Sequence, residues 1–158
     1  MDQKSRFLKH WQHEGKTTRK VLSRIPEGSD YRPDPKSRPA REIAWLIAYE
    51  TKVLADAFEG GDLVWADIPA PATMREVLEA FDRDQARSVA VMNALEPSGW
   101  DRAIKFLYGD QEIGSNNGYE HAWGMLLDII HHRGQITTYL RPMGSTVPQI
   151  YGPSADEP

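Results

Sequence analysis

The sequence predicts an all-α domain built as a four-helix bundle. Four stretches of about 20 residues repeat their apolar residues with the 3.6-residue period of a helix. The prolines fall between those stretches, where a chain must turn. A helix of that length spans roughly 30 Å, the size of a bundle. The 158 residues fit one domain, read as residues 1–158 with an extended, partly disordered tail over 145–158.

The first helix is expected over about Gln3 to Ile25. Phe7, Trp11, Thr18, Leu22 and Ile25 share one face, and Pro26 and Gly28 stop it. Prolines 33, 35 and 39 make the next segment an extended connector, with Ser37 as a capping candidate. The second helix runs from about Ala40 to Glu59 and ends at Gly60 and Gly61. Its inner stripe reads Ile43, Leu46, Ile47, Glu50, Val53, Leu54 and Ala57, so a carboxylate interrupts an apolar face. Thr73 and Glu76 have capping-box spacing at the start of a third helix, about Met74 to Leu95. Residues 97–118 form a long connection in which Ala103–Tyr108 suits a short strand. The fourth helix covers about Tyr119 to Leu140 and is apolar on most sides, which predicts a buried helix.

Composition excludes several functions. The formal net charge of −4 offers no basic footprint for nucleic acid. The basic residues of the first helix, such as Lys9 and Lys16, read as a solvated face, together with His10 and His13 beside Glu14. The chain has no cysteine, so a disulfide, a thiolate ligand and a protein thiol nucleophile are ruled out. No apolar stretch is long enough to span a bilayer. No signal peptide is visible either, and a cytoplasmic location is expected.

The chemistry is concentrated in the fourth helix. His121, Met125, Asp128, His132, Gln135 and Tyr139 share one face. Asp128 and His132 are four residues apart, so their side chains meet on adjacent turns. A carboxylate and an imidazole at that spacing can converge on one cation, as two histidines do in helical zinc sites. An apolar helix implies that Asp128 is buried, and a buried carboxylate needs a partner or a proton. Glu50 on the second helix is a further carboxylate facing the interior. Glu50, Asp128 and His132 are therefore the candidate metal ligands, a mixed oxygen and nitrogen set that suits zinc, nickel, iron or manganese. A plain buried Asp128–His132 pair, or pairing of Asp128 with Arg133 or Arg141, accounts for the same residues without a metal.

Three segments resemble the DinB-like proteins. Residues 130–144, IHHRGQITTYLRPMG, look like that family's C-terminal signature. DYRPDPKS at 30–37 followed by EIAWLIA at 42–48 is similar to its entry into the second helix, and VPQIYGPS at 147–154 to the tail of one branch. The resemblance implies an up-down-down-up four-helix bundle, a homodimer, and a divalent metal, nickel or zinc first, held by three histidines. It also implies a small-molecule substrate and chemistry of the hydrolase or thiol-dependent transferase type. Relatives use mycothiol, bacillithiol or glutathione as a low-molecular-weight thiol. The last family histidine falls on His132, the one four residues earlier on Asp128, and the second-helix histidine on Leu46. Glu50 lies one turn beyond Leu46 and can substitute. The alternative is a non-catalytic, metal-free bundle that serves as a dimerisation or small-molecule-binding module.

Overall fold

Each predicted helix begins where the sequence places a cap or a proline. The computed structural model describes residues 1–158. Helix α1 spans Gln3–Leu22, with the Asp2 carboxylate accepting from the Ser5 N–H at 2.7 Å. Helix α2 spans Ala40–Phe58. Its N-cap is Pro39 rather than Ser37, because Ser37 closes a turn by donating its N–H to Asp34 O. Strand β1 follows over Leu63–Trp65, then helix α3 over Met74–Ala94. The Thr73–Glu76 capping box is formed in both directions. Next come a short helix α4 (Pro97–Asp101), strands β2 (Ala103–Tyr108) and β3 (Gln111–Asn117), and helix α5 (Gly118–Leu140).

The long helices bury one continuous core. α1 packs on α3 and α5, and α2 packs on the same two helices. The core takes Phe7, Trp11 and Leu22 from α1, Ile47 and Leu54 from α2, Phe81 and Met92 from α3, and Ile136 and Leu140 from α5. Each such side chain contributes about 1.5–3 kcal/mol on leaving water. The polar middle of α3 is used rather than wasted: buried Ser88 accepts from Trp11 Nε1 at 2.8 Å. α4 supplies Trp100, edge-on to Phe7 and Phe58 and stacked on Tyr119. Gly118 permits that packing, since a Cβ there would lie 2.8 Å from the Trp100 carbonyl oxygen.

The all-α expectation needs correction. The chain is mostly helical, but β1, β2 and β3 form a three-stranded sheet in that order. β1 pairs parallel to β2, with Leu63 opposite Phe106. β2 and β3 form a hairpin with a bulge between Phe106 and Leu107. β1 has only three residues and finds its partner across the whole of α3, a pairing that no local pattern announces. β3 is exposed at every position, so it has no alternation to read.

The tail, residues 145–158, carries no helix or strand. It runs back over α1 and the turn after it, where Lys20 Nζ donates to Gln149 O and Ser145 Oγ to Arg24 O. Arg141 Nε holds Asp156 at 3.0 Å.

Candidate metal centre

α2 and α5 pack face to face, and this brings Glu50 against the Asp128–His132 turn. His132 Nε2 lies 3.6 Å from Asp128 Oδ1 and 3.9 Å from Glu50 Oε1. One ligand atom from each of the three residues falls within 4.8 Å of the others. Two donors on a tetrahedral ion, each at about 2.1 Å, are roughly 3.4 Å apart. The two separations from His132, 3.6 and 3.9 Å, lie close to that spacing.

The imidazole is already oriented. His132 Nδ1 lies 2.9 Å from Gln135 Oε1. An amide oxygen only accepts, so Nδ1 carries the proton and donates. Nε2 is the ring atom that faces the two carboxylates. Fixing the tautomer through the other ring nitrogen is what metal-ligating histidines usually require.

Glu50 is the unusual member. It is 2% exposed, and its Oε2 is buried with no hydrogen-bond partner. Native interiors contain few such atoms. Burial pushes the Glu50 carboxyl up to about 10, the neighbouring Asp128 carboxylate adds to the rise, and Arg38 opposes it. Without a cation, Glu50 holds a proton at neutral pH. With one, it can ionise.

A cleft of about 810 Å³ opens onto the cluster. α2 contributes Leu46, α5 contributes Met125 and Leu127, and the sheet contributes Leu63, Trp65 and Phe106. The sheet, of which the sequence announced only the strand Ala103–Tyr108, thus forms one wall of the site. The volume suits a small molecule, and the walls are mainly apolar.

The structure brings together all three predicted ligands, with one correction. Asp128 is not buried; its side chain is 53% exposed. α5 is less enclosed than its apolar count suggests, with Gly124, Leu127, Asp128 and His131 all exposed. The buried carboxylate is Glu50, and Asp128 forms the solvent edge of the site. Asp128 also pairs with neither arginine: Arg133 binds Glu14, and Arg141 binds Asp156. His121 is spent on Ile104 O at 2.9 Å and stays outside the cluster. His10 and His13 are exposed, as expected, but Glu14 beside them is buried. Leu46 lines the cleft beside Glu50, where an apolar side chain leaves Glu50 as α2's donor. The sequence reading missed Gln135 as the partner of His132; its place on the same helical face was the available signal.

The structure is thus a mostly helical domain with a cluster of possible metal ligands between two helices, walled by a small sheet. The chain belongs to the DinB family, whose model matches residues 1–158. It is 27% identical over 161 residues to the uncharacterized protein YrdA of Bacillus subtilis, covering 96% of this chain and 89% of that one. Two crystal structures share the fold. A DinB-like protein of Bacillus cereus matches with a TM-score of 0.74 at 20% identity, over 92% of this chain and 95% of the other. A DinB-like protein of Bacillus subtilis matches with a TM-score of 0.71 at 18% identity, over 93% and 99%.

Proposed function

We propose that this protein is a metal-dependent enzyme acting on a small molecule, with Glu50, Asp128 and His132 holding one divalent transition metal. The observation that carries the reading is the buried, unpartnered Oε2 of Glu50, whose other oxygen faces His132 Nε2. A bound zinc or nickel ion, or iron or manganese, would supply Lewis-acid chemistry toward an oxygen or sulfur of the substrate. Gln135 holds the His132 ring in its ligating tautomer. Leu46, Trp65 and Phe106 give the cleft an apolar wall against which a substrate can pack. Asp128 stands at the solvent edge, where substrate enters and product leaves. Three protein donors leave room for a substrate atom on the ion, as catalytic sites require.

The reaction class is hydrolysis or thiol-dependent transfer. The chain has no cysteine, so any thiol comes from a low-molecular-weight co-substrate. We place the protein in the cytoplasm as a homodimer with the up-down-down-up helix order of its family. Lack of cysteine suits a reducing compartment, and no helix is long and apolar enough to cross a membrane. Light scattering on the purified protein checks the dimer.

Metal analysis by mass spectrometry tests the central part. Untagged protein is expected to carry about one equivalent of a transition metal, and His132→Ala to lose it. No metal in either protein, even after incubation with nickel, zinc and manganese, would leave the metal-free binding module as the reading.

A further inference from the structure

A second groove, of about 520 Å³, adjoins the metal cleft. Leu46 and Trp65 line both, so the two spaces meet at those side chains. The groove has rigid aromatic walls. Trp45 donates its Nε1–H to Ile68 O at 2.9 Å, stacks on Tyr49, and Tyr49 meets Trp65 edge-on at 4.8 Å.

The two spaces differ in charge. The metal cleft is lined by Glu50, Glu120 and Asp128, with no lysine or arginine. The groove holds Arg38 and Arg41. Arg38 is exposed and pairs with no carboxylate of the chain. Arg41 spends one N–H on Pro71 O and keeps the rest of its fork. Two carboxylates also line the groove. Asp67 is engaged by the Tyr108 hydroxyl, and Glu42 is exposed in the first turn of α2. The positive field of Arg38 reaches as far as Glu50, whose proton affinity it lowers.

We propose that this groove is the subsite for the carboxylate end of an elongated substrate. Arg38 takes the carboxylate with Arg41 beside it, Trp45 and Trp65 hold the apolar body, and the far end reaches His132. The planar guanidinium fork matches a carboxylate in two parallel hydrogen bonds. The assignment of the far end rests on the metal-centre reading; the carboxylate subsite itself does not.

The test is calorimetric titration of ω-phenylalkanoates with two to six methylenes, and of their primary amides, into the full-length protein. Native protein, metal-stripped protein, His132→Ala and Arg38→Gln are compared, with metal content measured on each. At least one acid is expected to bind about tenfold more tightly than its amide. Arg38→Gln should erase that preference while keeping its metal. His132→Ala and metal-stripped protein should retain it. Equal binding of acid and amide by native protein, no saturable binding of any acid, or a preference that survives Arg38→Gln would overturn the proposal. A preference that vanishes in His132→Ala would overturn it too, because the carboxylate would then sit on the metal. Absence of metal from the native protein, with the preference intact, would refute the metal centre and leave this subsite standing.

Discussion

Glu14 on α1 and Glu50 on α2 are both buried, at 6% and 2% exposure, yet their surroundings have little in common. Glu14 Oε2 accepts from Arg133 Nη1 at 2.6 Å and from the Tyr151 hydroxyl at 2.8 Å. Arg133 is itself 2% exposed, donates to Tyr151 through Nη2, and lies over the Tyr151 ring. Every charge in that cluster has its counter-charge in place, and the cluster ties α1, α5 and the tail together. Glu50 has a histidine and another carboxylate near it, and one oxygen with no partner. The comparison separates two uses of a buried carboxylate. One is complete within the protein and serves the fold. The other is completed only by something the chain does not encode, a proton or a cation.

The largest expected effect lies in the complete cluster. Arg133→Met leaves Glu14 buried and unpaired, and stability to urea should fall by about 3–5 kcal/mol. The double variant Glu14→Leu with Arg133→Met should recover much of that loss, since no charge is then stranded. A single-variant loss below about 1 kcal/mol would break the contrast between the two sites.

Glu50 should respond in the opposite direction. Its carboxyl sits at about 10 in the folded protein, against an ordinary value of 4.5. Below the lower value both folded and unfolded chains hold the proton, and the favourable contribution is fully present. As pH rises above it, the unfolded chain ionises and the folded one does not. The contribution shrinks until about 10, where the folded site also loses its proton. Metal-free Glu50→Gln should therefore be more stable than native protein at pH 8, by several kcal/mol, and the gap should close toward pH 5. Urea titrations in chelator at both pH values check this. A gap that is absent at pH 8, or that widens on acidification, would contradict the assignment.

Gln135 carries the smallest effect. Gln135→Leu removes the acceptor that orients His132, and metal affinity should drop about tenfold, with little change in stability without metal. Competition with a chelating dye reads the affinity. An unchanged affinity would mean that packing alone orients the ring.

The parts of this site that were legible in the sequence are those written in helical spacing. Asp128 and His132 meet because residues four apart share a helix face. Glu50 stood out because Ile47, Val53 and Leu54 flank it on the same stripe. The three long buried faces of α1, α2 and α3 were equally readable. What was hidden depends on contacts distant in the chain. Trp65 and Phe106 enter the cleft through a strand pair spanning 43 positions, Leu63 with Phe106. The exposure of Asp128 depends on which side of α5 its neighbours leave uncovered. Glu14 gave no sign of burial because its partners, Arg133 and Tyr151, lie 119 and 137 residues away.

Proton counting on metal binding tests the account most directly. Zinc is titrated into metal-stripped native protein and Glu50→Gln at pH 7.5, in two buffers of different ionisation enthalpy. Glu50 holds a proton before the ion arrives and none after it. Native protein should release about one proton more per zinc ion bound than Glu50→Gln, which should also bind more weakly. Equal affinity and equal proton release in the two proteins would show that Glu50 is not a ligand.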